Sequence, residues 1–588
     1  MKRFIVSIFL MAALVTPSLP QGKTGQLATA IQDGKRAAAL EMIRAGADVN
    51  EAQPDGTRPI HWAVYRFDYD LMDALIAKKA KVDVTNEFGS TPLAEATKQG
   101  DARMVKTLLA AGSGTEGANE DGQTALMIAI KNGDLPVFNV LIDAGAKVNT
   151  VEKVQDQTPL MWAAAAARNA PEMVKVLIAK GANVNARAKF NDWPGQITSE
   201  PRAQYHTYGG LTPLLYAARG GCYACVEALV SAGADVNLPN NEGMTPLMIA
   251  LDNSQNGVAK FFLDHGANPK VWDIYGRTAL YVAIDHAPGA AVAGGGGGAF
   301  GGGRGAGGQG GRGGGGAASG RGGGGGAPGG GAGRGDGGGA VATGPQVSSM
   351  EIINLLLAAG VNPNTELNAR RPEAGSGGRF ADPLLSSGTT PLLRALINNN
   401  IEVARLLLDN GANPNIYGMG ISPWLYAAGL TSGVLSTGRG GGPGGGGGGG
   451  TVNTEFLDVM IKHGADVNAQ VNGANKYSGR ISYAQRDPNF TQSNEGMTAL
   501  HVAVRSQNST LVRYLLDHGA STNIIDASGR TPLDVLNGVP ALPPAVTADS
   551  EGLIPREALA KVAPNAPATI AGRGGGGARG AAPNSPVV

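Results

Sequence analysis

Cys222 and Cys225 are the only cysteines in the 588-residue chain, and they stand in "GGCYACVEALV" at the C-x-x-C spacing. Two thiols so spaced can form a redox dithiol, attach a haem, supply half of a metal site, or serve packing as a disulfide or as buried thiols. Covalent haem attachment needs a His directly after the second Cys, and residue 226 is Val. A zinc site needs two more ligands, and the chain has no second cysteine pair. The sequence carries no G-x-S-x-G elbow, no H-E-x-x-H, no Walker loop with its Lys, and no G-x-G-x-x-G between a strand and a helix. What holds the cysteines therefore decides what they do.

Composition narrows the setting. The 48 Lys and Arg against 47 Asp and Glu leave a net charge of +1, which gives no overall attraction to nucleic acid or to an anionic membrane. Hydrophobic residues make up 42%, enough for a large core, yet single cores stop growing at roughly 250–300 residues, so several domains or a repeat array are expected. The 92 glycines concentrate in 294–339 and 438–450, where Phe300 and scattered alanines supply too little apolar surface to offset the entropy of ordering. Those tracts, and a Pro/Ala/Gly-rich tail over 540–588, are expected to be disordered.

The chain begins "MKRFIVSIFLMAALVTPSLPQG". Lys2 and Arg3 make a charged start, Phe4 to Val15 an apolar run, and Pro17 and Pro20 stop the helix, the layout of a secretory signal over 1–21. An uncleaved anchor is the minor alternative, because the small-residue cleavage pattern is poor. No later stretch reaches the ~18 continuous apolar residues of a membrane helix, so no other stable span is expected. Export to a periplasmic or extracellular, oxidising compartment follows as an expectation.

One pattern repeats along the chain. "GSTPLAEA", "GQTALMIA", "GLTPLLYA", "GMTPLMIA", "GTTPLLRA" and "GRTPLDVL" are copies of one block, and Pro59, Pro92 and Ala125 within such blocks stand 33 residues apart. A second block follows each, as in "MVKVLIAKGANVN", "CVEALVSAGADVN" and "FLDVMIKHGADVN". The sequence resembles the ankyrin-repeat family over nearly its whole ordered length, with about 12 units, the last truncated. The resemblance implies an all-α repeat solenoid, each unit a helix-turn-helix followed by a β-hairpin loop, over 25–287 and 348–539. The physics of the unit agrees: Thr caps the first helix, Pro fills its first turn, and Leu and Ala at helical spacing bury one face. Gly181, Gly233, Gly266 and Gly464 are placed to end second helices in a left-handed cap.

The repeat also places the chemistry. Cys222 falls at the start of a second helix and Cys225 at a packing position held elsewhere by Val174 or Val403, so a structural disulfide or two buried thiols is the favoured reading, and a redox pair at a helix N-terminus is the alternative. His61 and His501 occupy the His of a T-P-L-H motif, and His265, His463 and His518 precede cap glycines. His206 and His286 alone lie outside the pattern, and two isolated imidazoles make neither a triad nor a metal site. No cofactor and no catalytic residue is expected.

Interruptions of the repeat say more about binding. Gly-rich insertions over 288–347 and 430–452 fall between the two helices of a unit. Arg304, Arg312, Arg321 and Arg334 give the longer one an RNA-binding look, but so few charges with Phe300 as the one interleaved aromatic read as a soluble spacer. Insertions over 186–209, 365–387 and 470–493 fall in hairpins and carry Trp193, Tyr205, Tyr208, Arg379 and Tyr477, residue types enriched in binding hot spots. Loops that merely cover neighbouring units are the competing reading. Variable positions beside them include Tyr65, Arg66, Phe88, Arg219, Tyr275, Arg277, Met419 and Arg505. Together they suggest a monomeric, non-enzymatic scaffold that binds another protein, with hairpin tips and first helices lining a concave groove as the resemblance implies. A hydrolase or redox enzyme with its site in the insertions, and a structural cell-envelope protein, are the other classes.

Overall fold

The computed structural model describes residues 26–191, 208–287, 344–367, 388–418, 420–430, 453–471 and 496–540. Residues 1–21, expected to form a signal segment, the Gly-rich tracts and the tail beyond 540 lie outside them. Contacts divide the chain into two units, Met1–Phe380 and Ala381–Val588.

In the first unit short helices fall into consecutive antiparallel pairs, from Gln26–Gln32 with Arg36–Arg44 to Ala279–Asp285 with Ser349–Ala358. From Pro92–Lys98 to Ala279–Asp285 the first helix of a pair starts at a threonine whose hydroxyl accepts the third backbone N–H: Thr91 from Ala94 at 3.1 Å and Thr212 from Leu215 at 3.3 Å. Pro92 and Pro213 follow, where a missing N–H loses nothing. These first helices are packed on almost every side; Ala125 to Ile130 are all buried. The second helices bury one face, as Val137, Phe138, Leu141 and Ile142 show. Asp68, Asp101 and Asp134 cap them through their carboxylates. Gly181, Gly233 and Gly266 just past their ends take φ of 84°, 88° and 84°, a left-handed turn that a side chain would strain.

An asparagine four residues after Gly145, Gly181 and Gly233 ties one pair to the next. Asn149 donates to the Gly181 carbonyl at 3.0 Å and accepts from the Asn183 N–H at 2.8 Å. Asn185 does the same to Gly233 and Asp235 at 3.1 and 2.9 Å, across the insertion. Asn237 repeats it on Gly266 and Asn268. The insertion expected over 186–209 thus leaves the stacking uninterrupted. Its base is a two-stranded antiparallel ladder that pairs Phe190 with Gly209 and Asn191 with Tyr208.

The insertion expected over 288–347 ends earlier than its composition suggested. Residues 344–347 are in place, because Asn256 donates to the Val347 carbonyl at 3.1 Å and Gly344 lies against the Tyr223 ring. Ser348 then caps helix Ser349–Ala358.

The second unit repeats the plan with Pro391–Ile397 and Ile401–Asp409, Pro423–Ala427 and Thr454–Lys462, Ala499–Arg505 and Ser509–Asp517, and a last helix Pro532–Leu536. Asn415 bonds Gly464 and Asp466, and Asn468 bonds Gly519 and Ser521, so the same tie runs through it. Gly464 again carries φ of 84°.

Leu229, 0% exposed, sits where helices Pro213–Gly220 and Tyr223–Ser231 meet their neighbours. Leu229→Ala is expected to cost about 2–5 kcal/mol in urea denaturation, through the cavity it leaves. Hydrogen exchange should speed most in the pairs flanking Tyr223–Ser231 and least at Gln26–Arg44; uniform acceleration along the first unit would contradict nearest-neighbour stabilisation.

Candidate protein-binding surface

Two edges of the stacked pairs are open to a partner, and the clearer is the row of hairpin tips. Each tip is a turn organised by one side chain. Asn86 Oδ1 accepts from the N–H groups of Phe88 and Ser90 at 3.1 and 2.9 Å, Asn240 does so from Glu242 and Met244, and Asp273 from Tyr275 and Arg277. A glycine at positive φ completes the turn, and here its missing Cβ matters: a Cβ on Gly89 would lie 2.9 Å from the Glu120 backbone nitrogen. Neighbouring tips therefore touch backbone to backbone. Glu87 N–H donates to the Asp55 carbonyl at 2.9 Å and Lys153 N–H to the Asp121 carbonyl at 2.8 Å.

The tips carry what the packing does not use. Phe88 is 64% exposed, and Val151, Val154 and Phe190 are exposed beside it in the row. Glu87, Glu120, Asp121 and Asp156 are exposed as well. Trp272, also 64% exposed, and Ile274 lie on the hairpin that precedes helix Ala279–Asp285. Sequence reasoning passed over Trp272; its only signal was an aromatic at a turn position that holds Thr85, Ala118, Val151 and Ile525 in other copies.

The expected site residues divide. Tyr65 is exposed at the end of helix Pro59–Tyr65 and meets Trp62 edge to face at 5.6 Å. Arg66 follows it and donates to the Gln32 carbonyl. Arg219 is exposed, its guanidinium 5.1 Å from the Tyr216 ring. Arg505 ends helix Ala499–Arg505 in the second unit. Tyr65, Arg66 and Arg219 stand at the turn between first and second helices, the edge of the first unit away from its tips, so the structure does not bring them to Phe88; Arg505 stands at the equivalent turn of the second unit.

Tyr275 and Arg277 correct the expectation: they are 4% and 1% exposed and cannot meet a partner. Arg277 Nε donates to Asp273 Oδ2 at 2.7 Å and Nη1 to Asp252 Oδ1 at 3.2 Å. Burial alone would lower the Arg277 pKa, but the two carboxylates outweigh it and the group is held charged. The pair is a strut inside the hairpin. Tyr208 lies in the short ladder, while Trp193, Tyr205, Arg379, Met419 and Tyr477 fall outside the described residues.

Cys222 and Cys225 are bonded to each other, both sulfurs buried. Cys222 occupies the N-cap of helix Tyr223–Ser231 and makes no side-chain cap, where Asp68, Asp101, Asp134 and Asn400 cap other second helices. Among the described residues no cluster of His, Cys, Asp and Glu could hold a metal ion, and no helix is long and apolar enough to cross a membrane.

Known families match this geometry. A model described as "Ankyrin repeats (3 copies)" matches residues 27–116, 102–188, 196–273 and 214–292; "Ankyrin repeats (many copies)" matches 486–536, and a single "Ankyrin repeat" 387–418. Together the matches take in more than half of the chain. The chain belongs to the ankyrin-repeat family. It is similar to human mitochondrial disaggregase, 31% identical over 147 residues, 25% of this chain and 20% of that protein. A putative ankyrin repeat protein of fowlpox virus (strain NVSL) is 26% identical over 147 residues, 24% of this chain and 71% of the viral one. This chain thus spans about a fifth of the length of the human relative. Similar solved structures include the ankyrin repeat domain of Bcl-3, a member of the IkappaB protein family, at 22% identity and TM-score 0.33, covering 39% of this chain and 94% of that one. The human ASB11 ankyrin repeat domain is 23% identical at TM-score 0.32, covering 42% and 99%.

The ankyrin histidines are structural. His61 Nδ1 accepts from the Arg58 N–H at 3.2 Å and Nε2 faces the Ser90 carbonyl at 3.2 Å; His501 stands likewise between Thr498 N–H and the Arg530 carbonyl. Such partners suit the neutral imidazole protonated on Nε2. Burial pushes both pKa values below 6.5, with the carbonyl bonds opposing. The unfolded chain then binds the protons more readily, so stability is full above about pH 6.5 and is lost as pH falls through the lowered folded values. The urea midpoint is expected to drop between about pH 7 and pH 5. His61→Gln with His501→Gln should flatten that drop; an unchanged slope would assign acid sensitivity to other groups.

Proposed function

We propose that this protein is a non-enzymatic ankyrin-repeat scaffold that binds another protein, outside the cytoplasm, through its hairpin tips and the adjoining first helices. The observation that carries the reading is the exposure of Phe88 and Trp272 on hairpins whose remaining residues are spent on turns and inter-repeat bonds. Aromatic side chains left on the rim of a fixed row are the anchors around which protein interfaces form. In this reading Tyr65, Arg66 and Arg219 offer further contacts on the opposite edge of the first unit and Arg505 at the equivalent turn of the second, and the hairpin insertions contribute Trp193, Tyr205, Tyr208 and Arg379 in the first unit and Tyr477 in the second. Export is supported by the charged, apolar and proline-stopped start of the chain and by the bonded Cys222–Cys225 pair, which suits an oxidising compartment.

The test is site-specific photo-crosslinking in the native cell. A benzophenone side chain at position 88 or 272 is expected to capture a protein, whereas the same group at Lys106, exposed on helix Ala102–Ala110, captures none. The ankyrin-repeat chain in the cross-linked product should begin near residue 22. Equal capture from all three positions, or none from 88 and 272, would refute the surface, and a chain retaining Met1 would refute cleavage.

A further inference from the structure

We infer that the tips between residues 53 and 156 take an extended, basic segment of the protein partner, with apolar side chains on either side of its charge. The inference rests on the protein-binding reading and specifies the partner's chemistry.

The tips form a fixed ruler. Glycine-to-backbone contacts at Gly56, Gly89 and Gly122 and the bonds from Glu87 to Asp55 and from Lys153 to Asp121 lock each tip to the next. Successive tips stand one unit apart, roughly 8–10 Å for packed helices. An extended chain advances ~3.3–3.6 Å per residue, so every third residue of a strand lying along the row addresses one tip.

Charge then selects the strand. Asp55, Glu87, Glu120, Asp121 and Asp156 stand at these tips against Lys153 and a half-buried Arg58 that is turned onto the Asn50 carbonyl, although the whole chain is balanced at +1. The row is acidic by local placement. Glu120 and Asp121, both exposed, share the central tip. Phe88 is exposed on the tip before it and Val154 on the tip after it. The complementary segment is apolar, then three residues on Lys or Arg, then three residues on apolar again. An acidic segment meets repulsion along the whole row. Beyond it Arg187 and Lys189 reverse the sign, which sets where the acidic ruler stops.

The full chain panned against a random dodecapeptide phage library tests this. Enriched peptides are expected to carry Lys or Arg with apolar residues three positions to either side. A synthetic enriched peptide, followed by fluorescence anisotropy, should lose roughly ten-fold in affinity to Phe88→Ala. Glu120→Gln with Asp121→Asn should cost about three-fold or more at low salt and little at high salt. All three changes lie on exposed side chains, and unaltered melting would confirm the fold. Enrichment of acidic peptides, or affinity indifferent to the tip variants, overturns this inference while leaving a protein-binding scaffold standing. No enrichment of any peptide overturns the inference and counts against the scaffold reading as well.

Discussion

A single helix pair of this chain cannot stand alone, and everything else in the structure answers that constraint. Two helices of about seven to nine residues, such as Pro92–Lys98 and Ala102–Ala110, are too short to be stable in water and present more apolar surface than they can cover between them. Burial comes from the neighbours on both sides. The asparagine tie makes that stacking directional, since Asn149, Asn185 and Asn237 each satisfy one carbonyl and one N–H of the following pair. A turn that would otherwise leave helix-end groups unpaired becomes a joint of fixed geometry.

The same constraint explains how several residue types that often serve catalysis are used here. His61 and His501 are consumed in bridging a first helix to the next hairpin. Asp273 and Arg277 brace a turn from inside. The cysteines replace a capping Asp or Asn at one second helix, trading a hydrogen bond for a covalent one. Residues that recur in every unit are used up by stacking, so partner recognition is left to positions where the units differ.

Much of this was legible in the sequence. Threonine caps, proline first turns and left-handed glycines recur at fixed spacing because each is demanded by a local backbone geometry, so helix pairs and hairpins could be laid out from residue types alone. The surface was harder. Tyr275 and Arg277 looked variable and therefore exposed, but Asp252, from the preceding pair, and Asp273 draw the guanidinium inward, and a partner 25 residues away in sequence leaves no local trace. Trp272 was missed for the converse reason: one substituted turn position has no periodicity to betray it. Residues 344–347 were read with the glycine tract they follow, whereas a bond from Asn256 holds them.

The central claim is that stability resides in the joints between units rather than in the units. Circular dichroism of a nested series of fragments drawn from residues 90–188, of one, two and three units, tests it most directly. A single unit should be unfolded and each added neighbour should raise the urea midpoint, the first additions most steeply. A single unit that folds cooperatively, or a midpoint independent of length, would contradict the account.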